Sequence, residues 1–365
     1  MDRFVARLFA TAVIAAAWPQ HAGAQNTPKV DGWRLRASLA NTYIQDLSFV
    51  SARVGFAAGG NGQVLRTTDG GATWAPVLDL GLPHYWYGVE ALNAEDIVVS
   101  GFFDSSYGVQ QALIRWSHDG GDSWSDDLVV SETDWANRVH FWNSSIGFAT
   151  AITPSGKPNL LFRTTTGGLQ LTDWTSSMVD PNGGWFGSQF SALPNGHVRM
   201  SGITYCESPD FAASWSCRPP VDPGTDWATF FLDETHGWVG GGGGSGYPLD
   251  DPMRFQGWIH VTADGGETWS GRTLYGPWPI KVVLFVNRRD GWAMGGGGDF
   301  GGAYVSHDGG MTWEVEFNAG HSLYACATAD YHLFCAGYDD TSTSYIYERD
   351  FDHIRHGDFD EVPAP

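Results

Sequence analysis

Across 365 residues the chain carries 20 lysines and arginines against 41 aspartates and glutamates, a formal charge of −21. That balance repels nucleic acid and anionic lipid, and a polyanionic substrate would need a local basic pocket. Forty-eight glycines and 14% aromatic residues, without helical periodicity, speak for turns and short strands and so for an all-β chain.

Taken in order, residues 1–24 read as a secretory signal: Arg3 and Arg7 give a positive start, Leu8 to Trp18 is apolar, and Ala22-Gly23-Ala24 is a cleavage site. The apolar stretch is too short to span a bilayer, and no cysteine lies at the cleavage site. The expectation is a soluble chain from Gln25, without membrane insertion, exported to a periplasm or beyond. It keeps 18 basic and 40 acidic side chains, a charge of −22.

Five copies of the pattern [ST]-x-D-x-[GA]-x-[ST]-W then punctuate the sequence, Thr67 to Trp74, Ser117 to Trp124, Ser208 to Trp215, Thr262 to Trp269 and Ser306 to Trp313. A divergent sixth, Thr164 to Trp174, keeps Gly167-Gly168 and the tryptophan but has Thr166 for the aspartate and two extra residues. Each position suits a tight hairpin. Asp69, Asp119, Asp210, Asp264 and Asp308 can accept from backbone amides, glycine supplies positive φ, and the tryptophan covers the turn. The pattern resembles the Asp-box, or bacterial neuraminidase repeat. In families that carry it the boxes lie on the far side of the blade from the usual binding face, which implies a structural role for these aspartates.

Between boxes one phrase recurs without gaps, as in Phe49–Phe56 (FVSARVGF), Phe141–Phe148, Phe231–Trp238 and Phe285–Trp292. Four short strands per repeat make a propeller blade. Ser322 to Asp350 supplies three strands without a box, whereas Gly32 to Arg36 looks like the strand that follows one. An N-terminal strand completing the C-terminal blade would close a seven-bladed ring over residues 25–350. Residues 351–365 form an acidic, proline-ended tail expected to be disordered. The four cysteines are expected to pair locally, Cys206 with Cys217 across the third complete box and Cys326 with Cys335. With no CxxC or histidine cluster, no metal is expected, nor any cofactor.

The face opposite the boxes is the candidate site, because its loops vary while strands cannot. The inter-blade loops are expected to carry an aromatic a few residues before each innermost strand, Tyr43, Trp86 with Tyr85, Trp135 with Arg138, Trp185, Trp227 and Trp278, with His321 in the seventh place. These could ring one mouth of the channel and bind sugar rings or apolar side chains, or fill the wedges between blades. The glycine runs Gly240–Gly246 and Gly295–Gly302 are expected in loops of that face. No catalytic constellation stands out. Asp104, Asp134, Asp180, Asp226 and Asp299 could supply a glycosidase pair, and His84, His140 and Arg138 a lyase-type group. The sialidases' Arg-Ile-Pro start is missing.

Over residues 33–349 the chain resembles exported seven-bladed propellers related to the photosystem II assembly and stability factor, through phrases such as Gly55-Phe56-Ala57-Ala58-Gly59-Gly60-Asn61-Gly62 leading into the box at Thr67. That resemblance implies a scaffold acting without chemistry. The arginine patch of the photosynthetic members has no obvious counterpart. The expected function is a monomeric, non-catalytic propeller that binds a protein or glycan partner at the aromatic face. The alternative is a glycoside hydrolase or polysaccharide lyase using the same face.

Overall fold

The computed structural model describes residues 32–104, 110–131, 135–152, 160–179, 186–222, 225–242, 256–297 and 300–351. In chain order β1 (Trp33–Ala40) precedes the first blade, which is β2 (Ile44–Phe49), β3 (Gly55–Gly59), β4 (Gln63–Thr67) and β5 (Ala75–Asp79). Blade 2 is β6 (His84–Ala91), β7 (Ile97–Asp104), β8 (Gln110–Ser117) and β9 (Leu128–Ser131). Blade 3 is β10 (Trp135–Phe141), β11 (Gly147–Ile152), β12 (Leu160–Thr164) and β13 (Trp174–Val179). Blade 4 follows as β14 (Phe186–Ala192), β15 (Val198–Gly202), β16 (Tyr205–Ser208) and β17 (Ser216–Arg218). Blade 5 has β18 (Thr225–Phe231), β19 (Gly237–Gly242) and β20 (Gly257–Thr262). Blade 6 is β21 (Ile280–Phe285), β22 (Gly291–Gly297), β23 (Phe300–Ser306) and β24 (Glu314–Asn318), and blade 7 is β25 (Ser322–Ala329), β26 (His332–Tyr338) and β27 (Thr343–Asp350).

Seven antiparallel sheets result, each ordered as its strands run, and β1 pairs with β27 to complete blade 7. The ring therefore closes as the sequence implies. Glu316 on β24 ties the seam: its carboxylate accepts from the indoles of Trp33 and Trp292, each at 2.8 Å, and from the Arg349 guanidinium at 2.8 Å. Trp33 also stacks on Phe317, with ring centroids 5.2 Å apart.

Blade 5 departs from four regular strands. Residues 270–276 occupy the outer position and bond to β20 through Ser270 to Val261, Thr273 to Ile259 and a Gly257–Gly276 bridge, but Pro277 has no amide with which to continue a ladder. The glycine runs depart too, since Gly240–Gly242 lie within β19 and Gly295–Gly297 within β22. Phe351, read as tail, is buried against Trp292 and Tyr331. Both expected disulfides are present, between directly paired strands.

Two local devices recur. In the FVSARVGF phrase the glycine lies under the leading phenylalanine ring, so a Cβ at Gly55 would stand 2.5 Å from the Phe49 ring. More consequential is a bulge in every innermost strand, between Ile44 and Asp46, Trp86 and Gly88, Ala136 and Arg138, Phe186 and Phe190, Asp226 and Ala228, Ile280 and Val282, and Leu323 and Ala325. The residue before the bulge faces Gly59, Gly101, Gly202, Gly241, Gly295 or Gly337 on the next strand, and only blade 3 has Ala151 there. Glycine leaves room where the bulge pushes a carbonyl over the second strand, as at Gly59, Gly101, Gly295 and Gly337. A Cβ on Gly101 would overlap the Tyr85 oxygen, and one on Gly337 the Ser322 oxygen.

Gly101→Ala should therefore lower unfolding free energy by about 1–3 kcal/mol, the range for overpacking. Gly271→Ala, whose Cβ meets nothing within 4 Å, should stay within about 0.5 kcal/mol in the same urea titration.

Candidate functional site at the channel mouth

The boxes define one face. In the first, Asp69 accepts from the Thr73 amide at 2.9 Å, the Thr73 hydroxyl at 2.6 Å and the Thr67 hydroxyl at 2.9 Å. The Gly71 amide is taken by Thr67 at 2.9 Å, and the Trp74 indole donates to Gly71 at 3.0 Å. Asp119, Asp210, Asp264 and Asp308 repeat this arrangement. Each glycine-bearing box also docks on the hairpin between its blade's first two strands, as Gly70 does on Arg53 at 2.9 Å. In the third complete box Phe211 and Ala212 take φ of 58° and 60° where the others have glycine. The divergent box fills its extra length with a 3-10 turn, Leu171–Asp173, and Asp173 accepts the Gln170 amide at 3.0 Å.

These aspartates are held below the ordinary carboxylate range by the bonds they accept. For Asp264 the Thr268 hydroxyl is the main cause and brings it to about 2. Because a lowered folded-state value stabilises only above the unfolded value near 3.8, the contribution is complete above that pH and disappears as pH falls toward 2. Asp264→Asn should thus be less stable than the parent at pH 7, and the gap should close between pH 4 and pH 2 in denaturant melts.

On the opposite face the bulge decides which side chains reach the mouth. The residue before it is buried, as with Ile44, Trp86, Ala136, Asp226, Ile280 and Leu323. The residue inside it leaves the ladder, and these are Gln45, Tyr87, Asn137, Trp227, Lys281 and Tyr324. The seven expected aromatics do not share one position in this frame. Trp86 is fully buried and Trp278, 6% exposed, packs against Tyr304, so both fill blade junctions rather than face a ligand. His321 is also buried, stacked on Tyr345 at 4.6 Å, and burial lowers its pKa. Tyr43, Tyr85, Trp135 and Trp227 are half-exposed, and Trp185 lies outside the described residues.

What assembles instead is an arc across blades 7, 1, 2 and 3. Tyr324 stacks on Tyr338 at 4.8 Å, and Tyr43 meets Tyr338 edge-on at 5.5 Å. Gln45 reaches the Tyr338 hydroxyl at 3.4 Å, and Tyr87 is close enough for its phenol to raise that of Tyr338. Burial is the larger cause and takes Tyr338 to about 12. Tyr87 then stacks on Phe102 at 5.7 Å, and Phe102 is flanked by Tyr85 at 4.8 Å and Trp135 at 5.2 Å. Tyr87, Tyr324 and Tyr338 were not singled out in the sequence.

Below the arc the channel holds a cavity of about 290 Å³, lined in part by Asp46, Glu90, Arg138, His140 and Gln189. Arg138 crosses it to pair with Asp46 and to donate to the carbonyls of Tyr87 at 3.2 Å and Gln45 at 3.3 Å. His140 pairs with Glu90 at 3.0 Å. On the far side the Lys281 ammonium lies 2.7 Å from the centre of the Trp227 ring, and burial holds its pKa down to about 7.

The proposed lyase-type group comes together only in part, since Arg138 and His140 line one cavity. His84 stands apart, paired with Asp127 at 3.1 Å beside Arg115. Asp226 is fully buried, and burial with the nearby Asp222 charge raises it well above an ordinary carboxylate. Asp222 in turn holds Arg272 and His260. Asp104 is half-exposed at the end of β7, whereas Asp134, Asp180 and Asp299 lie outside the described residues. Among the described residues no group of three histidines, cysteines or carboxylates is placed to hold a metal.

Buried and half-buried aromatics separate in a melt. Trp86→Ala and Trp278→Ala should each remove about 3–5 kcal/mol by opening a cavity, whereas Tyr85→Ala should remove about 1 kcal/mol, the scale of one aromatic pair.

A family model for the BNR/Asp-box repeat matches residues 304–315, and no curated protein matches the sequence. Solved structures share the fold. YCF48 bound to a D1 peptide superposes with a TM-score of 0.64 at 17% identity, over 90% of this chain and 97% of that one. YCF48 from Cyanidioschyzon merolae gives 0.58 at 19% identity, over 87% and 98%. The GH74 xyloglucanase from Xanthomonas campestris gives 0.53 at 12% identity, over 80% of this chain and 50% of that one.

Proposed function

We propose that this protein is an exported, non-catalytic propeller that holds an extended segment of a protein partner at its channel mouth, as an assembly factor does. One observation carries the reading: on the face away from the boxes half-buried rings gather in two neighbouring groups, Tyr324, Tyr338 and Tyr43 in one, and Tyr85, Tyr87 and Trp135 packed on the buried Phe102 in the other. Rings so gathered offer large contact area with few torsions to immobilise. The solved YCF48 bound to a D1 peptide supports a peptide as ligand for a propeller of this fold. The same rings could stack on sugar, and the peptide complex favours protein over glycan. Export rests on the signal-like residues 1–24, and the local disulfides suit an oxidising compartment.

A photoreactive benzoylphenylalanine replacing Tyr85 or Tyr324 in the producing cell tests this. Discrete adducts that protease removes are expected from both positions, and none from Met311 on the box face. Adducts that only glycosidase removes, or adducts confined to Met311, would overturn it.

A further inference from the structure

The chemistry of the arc selects the kind of segment. We propose, resting on the reading above, that the tyrosine arc is a receptor for a positively charged side chain, lysine or arginine, displayed on the partner's extended segment. Tyr324 and Tyr338 lie nearly parallel, 17° apart, while Tyr43 stands at 78° to Tyr338. A cation entering beside them meets ring electrons from more than one direction, and tyrosine faces attract it electrostatically.

A carboxylate stands in the adjoining loop. Asp339 directly follows Tyr338, accepts from the Tyr345 hydroxyl at 2.9 Å and from Thr341 at 2.6 Å, and is held ionised, at about 2, chiefly by that threonine. Its loop is joined to the arc by the bond between the Tyr43 and Ser342 hydroxyls. Around this arc the protein's own cations are directed elsewhere. Arg36 and Arg66 donate to box carbonyls on the other face, Arg115 pairs with Asp127, Arg349 with Glu316, and Arg138 lies beneath with Asp46. An acidic segment would bring its charge to Asp339 within a chain of net charge −21. A basic one finds complementary charge and π faces together.

Fluorescence anisotropy on the full mature chain in 150 mM salt tests this with three labelled decapeptides, alternating Lys-Ser, acetyl-Lys-Ser and Glu-Ser. The lysine peptide should bind, the acetylated one at least tenfold more weakly, and the glutamate one not measurably. Tyr338→Ala, which leaves net charge untouched, and Asp339→Asn should each weaken the lysine peptide at least fivefold. Tyr87→Ala serves should Tyr338→Ala fail to fold. Glu267→Gln, which removes one charge from the box face, should change it less than twofold. Equal weakening by Asp339→Asn and Glu267→Gln, or no effect of the tyrosine variants, would show attraction to net charge alone and overturn the proposal. If all three peptides bind alike and lose affinity in Tyr338→Ala, the cation receptor is wrong while the peptide-binding mouth stands. If none binds, the cation receptor is again wrong, and the cross-links alone decide the mouth.

Discussion

The bulge in each innermost strand is the constraint on which the mouth depends. In six blades it takes one residue out of the ladder and so reverses the side-chain alternation on either side, whereas β14 sets residues 187–189 against a single residue of β15. The bulge also lifts a carbonyl over the second strand, where six blades of seven carry glycine opposite the residue before the bulge. The fold thus fixes one position as buried and takes the next out of the ladder. Ile44, Trp86, Ala136, Ile280 and Leu323 are apolar because they fill blade junctions. Gln45, Tyr87, Asn137, Trp227, Lys281 and Tyr324 follow no common chemistry, because no ladder or core requires one. Specificity can vary there without disturbing the ring.

The outer parts of the blades are held by different means. The Asp-box turns are closed by local bonds between residues two to four apart, so each folds almost independently of its neighbours. Ring closure depends instead on contacts between chain ends, through the pairing of β1 with β27 and the three donors that converge on Glu316. Both devices engage their polar groups fully and leave little on the box face for a ligand.

What could be read from the sequence follows this division. Boxes, strands, disulfides and closure were legible because each rests on short-range patterns or on a strand left over at either end. The mouth was legible only in outline. Trp86 and Tyr87 are adjacent and equally aromatic, yet one is fully buried and the other half-exposed, and composition carries no sign of where the bulge falls. A signal did exist. Counting four residues back from the phenylalanine that opens the FVSARVGF phrase, or its equivalent, reaches Gln45, Tyr87, Asn137, Trp227 and Lys281. Tyr324 and Tyr338 were harder to find, because blade 7 lacks both the box and the phrase.

Arg138 gives the arc its rigidity. Its guanidinium spans the channel from blade 3 and binds the carbonyls of Gln45 and Tyr87, the two bulged residues of blades 1 and 2. A bulged residue has lost ladder bonds, so its carbonyl would otherwise require water or move. Asp46 balances the charge, and the Val89 amide donates to Asp46 at 3.0 Å, linking blades 1 and 2 as well. The arginine thus fixes, from below, the backbone that carries Tyr87 and its neighbours. Binding to rings already held loses less conformational entropy than binding to a mobile loop. It also explains why an arginine in a candidate mouth need not attract an anion: its donors serve the scaffold, and the surface left above it is aromatic and negative.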